Sequence, residues 1–256
     1  MQISSKDKTI LVFSDPHQEI DKVKRILKKE SYDQVVCLGD WFDSFFYEDP
    51  IYANKTARFL SELVFQENFL TLFGNHDLNY LFKNQYALCG GYTTPKREAV
   101  LEGLGSLFTK VRDKFRWYVW IDDFLCTHAG VHTYHFPPQL KLDKKGISEW
   151  LDNTGEHAIV SLINNNSHWF FRAGEARGGS QRVGGIVWLD FDAEFEPIEG
   201  LKQLVGHSYH RTILNHVSDG NLDLTKCDNL DIDCNVNQYL LIRNGEVKIK
   251  RLCDLD

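Results

Sequence analysis

Thr9-Ile10-Leu11-Val12-Phe13-Ser14-Asp15-Pro16-His17 decides how this chain is read. An apolar run of strand length stops at a turn, and the turn carries Asp and His two residues apart. Open α/β sheets build their sites at such C-terminal strand tips. The pattern recurs downstream. Gln34-Val35-Val36-Cys37-Leu38 leads into Gly39-Asp40-Trp41-Phe42-Asp43, and residues 68–73 lead into Gly74-Asn75-His76-Asp77. Phe124-Leu125-Cys126-Thr127 ends at His128-Ala129-Gly130, and Leu201-Lys202-Gln203-Leu204-Val205 ends at Gly206-His207-Ser208. Taken alone, any one of these Asp or His residues is a turn former or a strand cap. Together the tips carry Asp, Asn and His in the mixture that divalent metals take, and they converge on a metal centre.

Between the first two tips an amphipathic helix is expected over residues 19–29, with Ile20, Val23, Ile26 and Leu27 on one face. Asp49-Pro50 opens a second helix through Val64, and residues 68–73 form the third strand. This β-α-β-α-β start implies parallel strands joined by right-handed crossovers. A helical stretch over 98–114 precedes a strand at 116–121, a turn at Asp122-Asp123 and the strand ending at His128. The tail, 238–249, reads as a hairpin turned by Asn244-Gly245. Residues 136–182, with Pro137-Pro138, Asn164-Asn165-Asn166 and Gly178-Gly179, read as an irregular insertion that caps or borders the site. Parallel at the start and antiparallel at the end, the order fits an α/β (α+β) fold of two mixed sheets face to face with helices outside. A single domain over 1–256 is expected, since no linker composition divides the chain.

With 256 residues and 43% hydrophobic content the chain can bury a sizeable core. A net charge of -7 argues against a general nucleic-acid surface. The polar start carries no secretory signal, and no apolar stretch is long enough to span a bilayer, so no membrane partner is expected. Six cysteines lack CxxC spacing, and Cys37 and Cys126 sit inside strand-like runs, which suits a reducing, cytoplasmic location.

In their order, Asp-x-His, Gly-Asp-x-x-Asp, Gly-Asn-His-Asp, a lone His and Gly-His resemble the motifs of the calcineurin-like metallophosphoesterases, from Asp15 to His207. The resemblance implies a four-layer α-β-β-α sandwich with a binuclear metal site at its strand ends. It implies that Asp15, His17 and Asp40 hold one ion, and that Asp40 bridges to a second held also by Asn75, His128 and His207. Asp-x-His suits a strand end because i and i+2 side chains share a face. Donors of N and O without thiolate fit Mn, Fe, Zn or Co, with Mn favoured. Two divalent ions bring about four positive charges, and two Asp with a bridging hydroxide bring about three negative ones. The surplus of about one positive charge favours a phosphate substrate. His76 is implied as the acid that protonates the leaving oxygen, oriented by Asp43. Arg172, in Trp169-Phe170-Phe171-Arg172, is the candidate to grip the phosphate with its guanidinium fork. Residues 185–190 with Gly206-His207 resemble bacterial and phage relatives of the serine/threonine phosphoprotein phosphatases.

Three positions depart from that pattern. Ser44 follows Asp43 where phosphoprotein phosphatases have Arg, and Asp77 stands where they have Glu. Tyr209 occupies the place of the last His in the phosphodiesterase motif Gly-His-x-His, leaving His210 one residue late. The expected activity is hydrolysis of phosphate monoesters, on a phosphoprotein or a small molecule, by in-line attack of a metal-bridging hydroxide. Dinucleoside polyphosphate hydrolysis and cyclic-nucleotide or nucleic-acid phosphodiesterase activity are the enzymatic alternatives. A protein-interaction scaffold is the non-enzymatic one. Such a scaffold would shed ligands or the acid His, whereas this chain keeps them. His132, His135, His157, His168 and His216 lack partners at ligand spacing and read as surface or core residues, and Arg177, Arg182 and Arg211 read as solvated charges.

Overall fold

The computed structural model describes residues 1–215 and 228–255, so His216 and Cys227 lie outside the described residues. Its strands are β1 (Gln2–Ile3), β2 (Thr9–Phe13), β3 (Gln34–Cys37), β4 (Phe69–Thr71), β5 (Tyr118–Ile121), β6 (Phe124–Thr127), β7 (Lys202–Val205), β8 (Leu214–Asn215), β9 (Asn229–Asp231), β10 (Gln238–Arg243) and β11 (Glu246–Arg251). Its α-helices are α1 (Ile20–Lys29), α2 (Pro50–Leu63), α3 (Asn75–Phe82), α4 (Thr94–Leu104), α5 (Phe108–Arg112) and α6 (Lys144–Ile163).

The strands form two mixed sheets, ordered β11-β10-β2-β3-β4 and β1-β5-β6-β7-β9-β8. In the first, β2, β3 and β4 run parallel and β10 closes antiparallel on β2. In the second, β6, β7 and β9 run parallel while β5 pairs antiparallel with β6. The period of two along each strand sorts the core. Ile10 and Val12 of β2 join Val119, Ile121, Cys126 and Leu204 in the layer between the sheets. Leu11 and Phe13 face the other way, against Val23 and Ile26 of α1 and Ala53, Ala57 and Leu60 of α2. On the far side Trp120 and Leu125 share a cluster with Ile147, Leu151, Ala158 and Leu162 of α6. Helices therefore cover both outer faces of the sandwich, as the order of motifs implied.

Local signals explain the ends of these elements. Asp49 caps α2 by accepting from the Ile51 N–H at 2.8 Å, with Pro50 at the first helical position. Gly105, at φ +51°, breaks the single stretch expected over 98–114 into α4 and α5. The expectation of irregular chain over 136–182 is corrected: α6 runs for twenty residues through its middle and forms one outer layer. Its apolar face was obscured because Thr154 and Gly155 are part of it. A Cβ at Gly155 would stand 2.5 Å from the Trp117 ring, so the small residue lets helix and sheet approach. Among the described residues no helix is long and apolar enough to cross a membrane.

Candidate metal centre

The tips of β2, β3, β4, β6 and β7 meet on one edge of the sandwich, tied by backbone. Asp15 N–H donates to Gly39 O at 3.1 Å, His17 N–H to Asp40 O at 2.9 Å, and Gly206 N–H to His128 O at 2.7 Å. Asp77 completes the tie, its carboxylate accepting from the N–H groups of Asp40, Trp41 and Gly74 at 2.8–3.0 Å. Burial first, and then Asp40, raise its pKa to about 7. A glycine is required at 206, because a Cβ there would fall 2.0 Å from Ser14 Oγ and 2.3 Å from Asp15 Oδ2. Asp15, His17, Asp40, Asp43 and His207 all hold positive φ, between 42° and 76°. Non-glycine residues in that region cluster at working sites, where the surrounding structure holds the strain.

Two donor groups form here, Asp15-His17-Asp40 and Asp40-His128-His207, with candidate ligand atoms within 4.8 Å of one another in each. Asp40 belongs to both. Its Oδ2 lies 3.7 Å from His17 Nε2 and 3.4 Å from His128 Nε2, while its Oδ1 accepts from the His76 N–H at 2.8 Å. His17 Nδ1 lies 3.0 Å from Phe42 O and His128 Nδ1 lies 2.9 Å from Leu38 O. A carbonyl only accepts, so each Nδ1 carries a proton and each Nε2 is turned inward to the donor group, as metal-ligating imidazoles are. Asn75 Oδ1 lies 3.0 Å from both His128 Nε2 and His207 Nδ1.

The electrostatics fit a cation. Burial, then Asp233, push the Asp15 carboxyl well above its usual range. Burial would do the same to Asp40, but His128, His76 and His17 outweigh it and hold Asp40 low. Burial would lower His128, yet Asp40 and Asp15 raise it to about 9. Burial takes His17 down to about 4. The protein thus gathers a proton onto His128 where its buried carboxylates require positive charge. Asp15 Oδ1, Asn75 Nδ2 and His207 Nε2 are buried without a hydrogen-bond partner among the described atoms. Asp15 Oδ1 and His207 Nε2 can offer lone pairs beside a buried carboxylate pair, which suits divalent ions, whereas Asn75 Nδ2 is a proton donor and no ligand. The residues present fit the metal that the motifs imply.

His76 stands beside this centre at the start of α3. Its Nδ1 lies 3.0 Å from Asp43 Oδ2, and Asp43 Oδ1 accepts from Tyr80 Oη and lies 3.7 Å from Lys96 Nζ. Burial would lower the His76 pKa, but the Asp40 charge, with Cys89 and Asp43, holds it well above the usual value. The cleft over these groups, about 700 Å³, is lined by His17, Asp40, Asp43, Asn75, His76 and His207 together with Phe45, Phe46, Arg177, Trp188, Tyr209 and Asp233. A larger cleft of about 840 Å³ beneath α6 carries none of the donors.

All six expected ligands, with His76 and Asp43, are brought together. Arg172 is not among the residues lining the cleft: its Nη1 donates to Tyr86 O at 3.4 Å and its guanidinium lies 5.6 Å from the Tyr86 ring centre. Arg177, read from sequence as solvated, lines the cleft, held by Asp190 at 2.6 Å and Ser208 Oγ at 2.8 Å. His210 lies 3.7 Å from Asp231 and 3.9 Å from Asp192, outside both donor groups. Sequence reasoning missed Asp231 and Asp233, both buried. Their i, i+2 spacing repeats the Asp15/His17 signal, but the apolar run before them is too short to announce a strand tip. Trp41 and Phe42 are core, whereas Phe45 and Phe46, 72% and 68% exposed, form the rim.

The family model described as Calcineurin-like phosphoesterase matches residues 8–211. No curated protein counts as a match. A cold-active protein tyrosine phosphatase is 16% identical with a TM-score of 0.62, over 98% of this chain and 78% of that one. A structure of cold-active protein-tyrosine phosphatase from a psychrophilic Shewanella species gives 16% and 0.56, over 98% and 80%. A serine/threonine phosphatase from Saccharomyces cerevisiae with similarity to human phosphatase PP5 gives 13% and 0.55, over 97% and 82%. At these identities the likeness is one of fold.

Proposed function

Since the chain belongs to the calcineurin-like phosphoesterases, a family of metal-dependent hydrolases, we propose that it is a phosphomonoesterase working with two divalent ions. The carrying observation is the Asp40 carboxylate, shared by two donor groups and set beside the His76–Asp43 pair. One ion would take Asp15, His17 and Asp40, and the other Asp40, Asn75, His128 and His207, with Mn²⁺ favoured. When bound, such ions neutralise phosphoryl oxygens and lower the pKa of a water at the site.

The chain's own residues supply the rest. Asp43 Oδ2 holds His76 Nδ1, leaving Nε2 to give a proton to the leaving oxygen. Tyr80 and Lys96 hold the other oxygen of Asp43 and keep the pair aligned. Arg177, anchored by Asp190 and Ser208, lines the same cleft and grips the phosphate. The rim of Phe45, Phe46 and Tyr209 favours an aryl phosphate or an aromatic residue of a phosphoprotein. Cys37, Cys126 and Cys234, all buried as small hydrophobes, support a cytoplasmic location.

The test is hydrolysis of p-nitrophenyl phosphate and bis(p-nitrophenyl) phosphate by chelated protein, with and without Mn²⁺, alongside metal content. Monoesterase activity restored by Mn²⁺, with two ions bound, is the expected result. Faster cleavage of the diester would overturn the monoester assignment, and bound metal without turnover of either ester would favour a scaffold.

A further inference from the structure

A third group of metal-binding side chains adjoins the centre and takes no part in it: Asp43, His76 and Cys89. Cys89 is half-buried, and its Sγ lies 3.3 Å from His76 Nδ1 and 3.9 Å from Asp43 Oδ2. The remaining edge, from Nδ1 to Oδ2, is 3.0 Å. A tetrahedral Zn²⁺, with bonds of about 2.0–2.1 Å to N and O and about 2.3 Å to S, holds such donors about 3.5 Å apart on each edge. The triangle is close to that size before any ion binds.

We propose that Asp43 Oδ2, His76 Nδ1 and Cys89 Sγ form an inhibitory site for a thiophilic divalent cation, with Zn²⁺ as the best fit. The donor set separates this site from its neighbour by chemistry. The Asp40 groups offer only N and O, which suit Mn²⁺ and similar ions, whereas a thiolate selects for zinc. Tyr80 and Lys96 already engage Asp43 Oδ1, so Oδ2 is the oxygen left to the ion, as an outer partner orients a ligating carboxylate. Asp43, His76, Gly90 and Gly91 line the cleft, which gives an ion a path in, and leaves room for water as a fourth ligand.

Inhibition follows from the ring nitrogen used, and it rests on the reading of His76 as the acid. Zinc on Nδ1 displaces the proton shared with Asp43, and zinc on Sγ displaces the thiol proton; both pass to solvent. With the ion between them, Asp43 no longer accepts from Nδ1, so the ring loses the contact that aligns it for proton donation. Manganese, which has little affinity for thiolate, leaves the pair free.

Titration of Mn²⁺-loaded protein with Co²⁺ tests the site without reference to activity. A thiolate-to-cobalt charge-transfer band in the near-ultraviolet is expected for the wild type, and its loss is expected in Cys89→Ser and Cys89→Ala. Both variants should keep the Mn²⁺ content of the wild type, which checks that they fold. In parallel, Zn²⁺ should abolish phosphatase activity of the Mn²⁺-loaded wild type, and both variants should lose that inhibition. No charge-transfer band in the wild type, or a band that survives in the variants, overturns the site. A band that depends on Cys89 without zinc inhibition overturns the regulatory proposal and removes His76 from its role as acid, leaving the metal centre untouched.

Discussion

Asp40 and His76 are adjacent in space and separable in consequence. Asp40 alone belongs to both donor groups, so Asp40→Asn is expected to lose both ions together, measured as metal content after gel filtration. Retention of two tight ions by that variant would contradict the sharing. His76→Asn should keep its metals and lose about 10²–10⁴-fold in kcat, the usual worth of a positioned acid. Arg177→Ala should raise KM for p-nitrophenyl phosphate, while Arg172→Ala should leave it unchanged, since Arg172 packs on Tyr86 away from the cleft. Equal effects from both would remove the phosphate grip from Arg177. The positive φ of Asp15, His17, Asp40, Asp43 and His207 adds a residue-scale cost of about 1–3 kcal/mol each, less for Asp than for bulkier side chains.

Among the elements, β2, β3 and β7 carry their donors because parallel strands end together, and α6 carries none yet decides stability. Leu151 is wholly buried between α6 and the six-stranded sheet. Leu151→Ala should therefore cost about 2–5 kcal/mol in chemical denaturation while metal affinity stays as in the wild type. A loss of metal in proportion to stability would mean that α6 positions the centre. The helix was not legible in the chain because Thr154 and Gly155 interrupt its apolar face, and Pro137-Pro138, Asn164-Asn165-Asn166 and Gly178-Gly179 mark the whole stretch as irregular. The service of Gly155 is steric: it admits the Trp117 ring, whose Nε1–H donates to Gly155 O at 3.2 Å. The α1, α2, β10 and β11 bounds, by contrast, follow from capping, periodicity and the Asn244-Gly245 turn, all local signals.

At the scale of the molecule, the buried charges link stability to metal and pH. A metal present at about 100 times its Kd adds about 2.7 kcal/mol. For a chain of this length that is about 5–10 °C in Tm, which a thermal scan with EDTA should remove. His128, raised to about 9 from an ordinary 6.5, stabilises the metal-free fold in full below pH 6.5, and that contribution is lost as pH rises through 9. His76 is raised as well and acts in the same direction. The Tm in EDTA should thus fall between pH 6.5 and 9. The increment from Mn²⁺ should grow over the same window, because the ion needs His128 neutral. A metal-free Tm that is flat or rising there would show that His128 holds no charge in the fold.

By itself the sequence determined the two-sheet architecture, the strand tips and the candidate donors they carry, because the tips are written in a few consecutive residues: an apolar run, then a turn, then Asp, Asn or His. It could not determine which charges from distant segments face the cleft. Arg172 and Arg177 differ by five positions and lie in similar company along the chain, yet only Arg177 meets Asp190 and Ser208. Cys89 stands thirteen residues beyond His76 with no spacing to announce it, and the turn that brings its sulfur to 3.3 Å from the ring exists only in the folded molecule. Side chains that act through contacts across the sandwich are placed by the packing of whole layers, and that information is held in no single stretch of chain.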